Sequence, residues 1–197
     1  MAKNTNAKTL KLVQTAVLVA MIVAAAFVPI RFSFAEITLT GIPIAFGAIL
    51  LGPTYGAILG AAFGLTSYLQ AVFTSPFGHY FFEINPFLMF IVCFVARVLA
   101  GWLAGWFYKA LRGMGIKEFW RCGFTGLATA LLNTVFFLTA LLLFFGQTEQ
   151  IVTMQAGRSL MAFVVAVFGL NCGLECLLGL IVGSAFANIL PALRRRK

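Results

Sequence analysis

The chain has 197 residues, of which 62% are hydrophobic and only 10% charged, with a formal net charge of +9. A soluble domain is roughly 45–50% apolar and about 25% charged, so this chain has too little polar surface to coat a water-soluble globule. The excess positive charge does not mark a nucleic-acid binder, because it sits at helix ends and no basic soluble module exists to carry it.

A membrane-spanning helix needs about 20 apolar residues. The length fits one integral membrane domain, residues 1–197, all-α with six transmembrane helices. Residues 10–30 form the first apolar run, closed by Pro29. The run exceeds the roughly 7–15 residues of a signal-peptide core and no small-residue cleavage site follows, so it is expected to stay as a helix. Residues 32–40 alternate and are β-prone, which predicts an extended outer loop. Residues 41–51 are apolar but reach only about 16 Å at roughly 1.5 Å per residue. Gly52-Pro53 breaks the chain, and a glycine-rich helix follows over 54–73. Helices two and three either both span, or helix two is a buried half-span, which membranes tolerate only inside protein or beside a cavity.

Residues 74–85 read as a polar and aromatic loop containing Pro76, His79 and Glu83. Helix four is expected over 86–109, started by Asn85 as cap and Pro86 at the first helical position. A short basic connection leads to helix five over 121–145. Residues 146–157 read as a polar loop. Helix six, 158–190, is over-long, which predicts tilt or a loop-side extension.

Orientation follows from lysine and arginine placement. Lys3, Lys8 and Lys11 precede helix one. Lys109, Arg112, Lys117 and Arg121 surround the helix four–five connection, and Arg194, Arg195, Arg196 and Lys197 end the chain. With six crossings these clusters share one side, so both termini are predicted to be cytoplasmic. Arg31 and Arg158 fall on the other side.

Polar residues inside a bilayer are costly and mark candidate functional sites. Arg97 on helix four, Asn133 on helix five and Glu175 on helix six all fall roughly 18–22 Å from the inner helix ends, by rise per residue. Asn171 shares a helix face with Glu175, four positions away. A cation, amides and a carboxylate at one level suit a small polar ligand. The alternative is an Arg97–Glu175 ion pair that only locks the bundle, with Asn133 bridging helices. Gln70, His79, Tyr80, Glu83 and Asn85 flank the outer end, where Asn85 also serves as a cap. His79 is the only histidine, which excludes a multi-histidine metal site. Cys172 and Cys176, one helical turn apart, read as small apolar residues in a packed helix rather than a metal site. Cys93 and Cys122 also lie in or beside apolar segments, so no external disulfide framework is indicated.

Helix one carries Ala16, Ala20 and Ala24 at four-residue spacing, which allows close approach of another helix, either inside this chain or from outside it. Gly56, Gly60 and Gly64, and Gly101 and Gly105, are assigned to internal packing. The chain contains no Asp, so no Ser-His-Asp set exists. It has no phosphate-binding loop and no His-Glu-x-x-His, and no convincing inverted repeat. A pocket without a motor implies that energy comes from a partner.

Taken together, the chain resembles the substrate-binding S components of energy-coupling factor (ECF) vitamin transporters. The resemblance runs over nearly the whole chain. It rests on the size, the six-helix layout, Ala16-x-x-x-Ala20-x-x-x-Ala24, Leu51-Gly52-Pro53-Thr54-Tyr55-Gly56-Ala57, and Asn171 through Glu175. It implies a membrane coupling subunit and two cytoplasmic ATPase subunits as partners, with the alanine stripe docking on the coupling subunit. It also implies that ATP is hydrolysed by those partners, that this chain is no enzyme and needs no cofactor, and that transport involves toppling of the whole component. The substrate is implied to sit near the outer face, under the first outer loop and the loop before helix four. Ser75-Pro76-Phe77-Gly78, Ile84-Asn85-Pro86 and Ala96-Arg97-Val98-Leu99-Ala100-Gly101 look most like pantothenate-specific members. Arg97, Asn133 or His79 would then meet the ligand carboxylate, and Glu175, Asn171 or Gln70 its hydroxyls and amide. An anionic ligand would be repelled by an unpaired Glu175, unless Glu175 pairs with Arg97 or is protonated. Other readings are a component for another vitamin (folate, riboflavin, cobalamin), a self-contained carrier with Glu175 as proton site, and, least supported, a lipid-acting membrane enzyme.

Overall fold

The structure, a computed structural model, describes residues 2–27, 30–32, 35–37, 39–155, 157, 159, 162 and 165–195. In chain order the elements are α1 (Ala2–Phe27), β1 (Ile30–Phe32), β2 (Ala35–Ile37), α2 (Gly41–Leu51), α3 (Pro53–Phe73), α4 (Pro76–Ile84), α5 (Pro86–Gly113), α6 (Glu118–Phe145) and α7 (Glu149–Gln155). A π-helical turn, Val165–Gly169, then runs straight into α8 (Leu170–Arg195).

Among the described residues, five helices are long and apolar enough to cross a membrane: α1 from Lys8, then α3, α5, α6 and α8 up to Leu193. The short α2 is not among them. It lies at the centre of the bundle, against α1, α3, α5, α6 and α8, and buries Pro43, Ile44, Ala45, Gly47, Ala48 and Ile49. This explains why its sequence is apolar all round: a helix with protein on every side has no face to give to solvent.

Two glycine seams set the bundle. Along the first, α3 lies on α5, and a Cβ at Gly56 would meet the Gly101 carbonyl, while one at Gly60 would meet the backbone of Arg97. The expected internal role of these glycines is what the structure shows. Along the second, Gly126 of α6 touches the backbone of Gly179 on α8. Small residues are needed where helix backbones approach this closely.

The seams also fix the polarity of the bundle. Pro53 lies against Gly105, so the start of α3 is beside the end of α5. Gly183 lies against Cys122, so the end of α8 is beside the start of α6. Gln70 Nε2 donates to the Ala26 carbonyl at 2.6 Å, joining the ends of α3 and α1. The start of α1, the α5–α6 turn and the end of α8 therefore share one end, and it carries the three basic clusters.

Several expectations need correction. Helix one ends at Phe27, and Ile30 already belongs to the β1–β2 ribbon. There Ile30 pairs with Ile37, Arg31 with Glu36 and Phe32 with Ala35, so the β-prone segment forms a short hairpin in an otherwise helical chain. The segment expected as a loop over 74–85 contains α4, because Ser75 Oγ accepts from Gly78 N at 3.2 Å and Pro76 occupies the first turn. The loop expected over 146–157 contains α7, which buries Ile151. The over-long sixth helix is interrupted in character, with a π turn before α8. Arg158, its expected start, lies outside the described residues.

Candidate ligand pocket

Arg97 sits three turns into α5 and is buried. Its Nη1 donates to the Cys93 carbonyl at 3.0 Å. Its guanidinium carbon lies 4.7 Å from the Phe63 ring centre on α3 and 5.0 Å from that of Phe137 on α6. Two aromatic faces and a carbonyl partly replace the water that a buried cation gives up. The Glu175 carboxylate on α8 acts on Arg97 electrostatically. Phe137 lies one turn from Asn133, and Asn171 one turn from Glu175, so the four residues lie on the helices that meet along α6, the α5–α6–α8 seam.

These helices, and the residue before α2, carry unsatisfied polar atoms. Arg97 Nε, Asn133 Oδ1, Asn171 Oδ1 and Thr40 Oγ1 are all buried without a hydrogen-bond partner. Gln14, Arg121 and Gln150 carry similar atoms elsewhere. Buried polar groups are nearly always paired in native proteins, and leaving one unpaired costs about 1–3 kcal/mol. Several such atoms on α5, α6 and α8 and just before α2 are groups that a polar ligand could satisfy.

Glu175 lines a narrow cleft with Leu39, Gly41, Ile42, Gly126, Ala130, Leu178 and Gly179. The cleft measures about 20 Å³, room for a water at most two, since one needs roughly 10–15 Å³ on the same measure. The lining has a topological meaning. Gly126 and Ala130 lie well inside the 28-residue α6, so α2 begins deep in the bundle. The residues that enter α2 place Leu39 in the wall of the cleft, with the buried Thr40 next in sequence.

The end of the bundle opposite the basic clusters is closed by an apolar plug. Phe81 of α4, Met89 and Val92 of α5, Leu141 and Phe145 of α6 and Ile151 of α7 form one buried cluster, with Phe168 of the π turn packed on it. The rings of Phe81 and Phe145 are 5.0 Å apart.

The remaining candidates stand apart from this seam. Gln70 is engaged with α1, as described. His79 Nδ1 lies 3.0 Å from the Val72 carbonyl and Nε2 lies 3.5 Å from Glu83 Oε1, with both side chains half exposed or more. Asn85 Oδ1 accepts from Phe87 N and Leu88 N, each at 3.1 Å, so it caps α5. Cys172 and Cys176 have their sulfurs 4.0 Å apart, and Cys176 also approaches the Leu127 carbonyl. Ala16, Ala20 and Ala24 face outward from the bundle, while Leu18, Ile22 and Ala26 form the buried face of α1. The stripe therefore stays outside the packing of the described residues.

Sequence reasoning missed Phe63 and Phe137, because nothing marks two phenylalanines among 22 as the walls of a cation site. It also missed Thr40 and the Gly126–Gly179 contact. The four-residue spacing of Gly179 and Gly183 was a readable signal for the latter.

Comparison with known proteins now places the chain. Residues 10–190 match the family model for the ECF transporter substrate-specific component. The chain is 31% identical over 172 residues to the pantothenic acid transporter PanT of Lactococcus lactis subsp. cremoris, covering 81% of this chain and 79% of that protein. It is 30% identical over 166 residues to the pantothenate transporter PanT of Leuconostoc mesenteroides subsp. mesenteroides, covering 82% and 78%. A solved structure of ThiT from Listeria monocytogenes superposes with a TM-score of 0.64 at 19% identity, over 97% of this chain and 98% of that one, which supports the fold. The match over almost the full length shows that the chain belongs to the family of ECF transporter substrate-specific components, transporter subunits rather than enzymes.

Proposed function

We propose that this chain binds pantothenate within the α5–α6–α8 seam and delivers it as the substrate-specific component of an ATP-driven transporter. The observation that carries the reading is the group of buried, unpartnered polar atoms on Thr40, Arg97, Asn133 and Asn171. Pantothenate brings a carboxylate, hydroxyls and an amide, which are the groups such atoms require. Two relatives at about a third identity are named for this substrate. Arg97 takes the carboxylate, and Asn133, Asn171 and Thr40 take the hydroxyls and amide. Glu175, held beside the start of α2, accepts a hydroxyl. Gln70, His79 and Asn85 serve as ties and caps at the rim rather than as ligands.

In this reading the chain makes six crossings, with α2 and the segment leading down to it forming the second, and both termini lie in the cytoplasm under the positive-inside rule. No nucleotide-binding loop occurs in the sequence, so ATP is hydrolysed by two partner ATPases coupled through a membrane subunit. That subunit docks on the outward stripe of Ala16, Ala20 and Ala24, where small side chains allow a helix to approach closely.

Titration of the purified chain with a panel of vitamins tests this. Pantothenate is expected to bind at micromolar concentration or below while folate, riboflavin, thiamine and cobalamin do not. Preference for another vitamin rejects the substrate, and ATP-independent uptake by the chain alone in liposomes rejects the mechanism.

A further inference from the structure

A second feature lies at the basic end, remote from the pocket. Phe119 and Trp120, in the first turn of α6, and Leu180, Ile181, Ser184, Ala185 and Asn188 of α8 line a groove of about 390 Å³. That volume falls within the roughly 300–1,000 Å³ of small-molecule sites. The groove is open along its outer side, where Trp120, Ile181, Ala185 and Asn188 are exposed. Its walls are graded. Asn188 lies toward the end of α8, and Ile181 about 10 Å deeper at roughly 1.5 Å per residue. The form is a polar mouth leading to an apolar trough that runs along the helices.

Aromatic rings flank the mouth. Phe119 and Trp120 meet edge to face at 5.4 Å, and Trp120 stacks on Phe124 at 5.8 Å. Tryptophan at this level is typical of a membrane–water interface. The charge at the mouth is positive. The exposed Lys117 immediately precedes α6, and the exposed Arg112 ends α5. The sequence adds Arg194, Arg195, Arg196 and Lys197 shortly after Asn188. The sole acidic residue nearby, Glu118, is engaged by Tyr108 and Arg121.

We propose that this groove holds one phospholipid with an anionic headgroup, its acyl chain lying along Ile181 and Ala185 and its phosphate at the mouth beside Lys117. The shape requires a long apolar ligand, and the basic rim selects an anionic head. The inference does not depend on the identity of the transported substrate. On the orientation given above, the lipid belongs to the cytoplasmic leaflet.

The W102F/W106F variant retains Trp120 as the only tryptophan. This chain, reconstituted in phosphatidylcholine nanodiscs with a small fraction of phosphatidylglycerol, reports on the groove when the acyl chains of one lipid at a time are brominated. Brominated phosphatidylglycerol is expected to quench Trp120 fluorescence at about fivefold lower mole fraction than brominated phosphatidylcholine, the preference that one lysine gives an anionic headgroup. K117Q is expected to abolish the preference while leaving quenching by both lipids. A185F, which fills the trough on the lipid-facing side, is expected to remove the preferential component. Pantothenate binding by each variant reports that it is folded, and an unchanged size-exclusion profile serves the same purpose should the substrate assignment fail. Equal quenching by the two lipids means ordinary boundary lipid and overturns the proposal. Quenching by neither means that protein covers the groove, and a preference that survives A185F places the lipid elsewhere; either result overturns it too.

Discussion

Single residues divide into those that hold the fold and those that await a ligand, and hydrogen bonding separates them. Asn85 has its capping role visible: its side-chain oxygen accepts two amides at the start of α5. Asn85→Ala is expected to cost about 1 kcal/mol of stability, the usual value of an N-cap, with pantothenate affinity nearly unchanged. Thermal unfolding in detergent and titration together check this. Asn133 and Asn171 behave in the opposite way, since each has a buried oxygen without a partner. Replacing either with Ala is expected to weaken pantothenate binding about tenfold, roughly the worth of one buried hydrogen bond, with little loss of unfolding temperature. Wild-type affinity in both variants would remove them from the pocket. Arg97, Asn133, Asn171 and Glu175 stand out in the sequence as polar residues in apolar stretches, and all four lie on spanning helices in the structure. The polarity of Gln70 is equally visible, but its partner, a carbonyl at the end of α1, is not.

Helices show which signals are local and which are not. The five long helices were legible because apolar length alone marks them. The start of α4 was also readable, since Ser75-Pro76 repeats the cap-and-proline logic of Asn85-Pro86, but nine residues rich in aromatic rings look like a loop. The depth at which α2 begins was not readable, because it is set by contacts with α6 and α8. The glycine seams lie between these cases. Spacing reveals that close contact occurs, and only the fold reveals with what. Gly126→Ala would place a methyl group against the backbone of Gly179. It is expected to cost about 1–3 kcal/mol through overpacking, and to weaken pantothenate binding as well, because α6 and α8 carry Asn133 and Asn171. Gly113→Ala, at the end of α5 with open space around its Cα, is the control. It is expected to leave stability unchanged or raise it slightly. Equal effects of the two substitutions on melting temperature would refute the seam.

For the whole molecule, the outward alanine stripe on α1 and the pocket between α5, α6 and α8 occupy different helices. In the proposed function, binding and coupling are therefore separable. Ala20→Trp is expected to preserve pantothenate affinity in the isolated chain and to abolish ATP-dependent uptake by the assembled transporter, measured with radiolabelled substrate in proteoliposomes. Unchanged uptake would reject docking through the stripe. The buried start of α2 has an electrical consequence. A helix N-terminus carries about half a positive charge, and this one lies in the protein interior, where water screens it little. Few of its amides are free, since Ile42 N is bonded to the Leu39 carbonyl and Pro43 has none. Its influence is thus a field rather than a set of donors. That field falls on the cleft that Glu175 lines, and it acts beside the Arg97 guanidinium rather than in place of it. A pocket that holds an acidic side chain can in this way still present a net attraction to an anion.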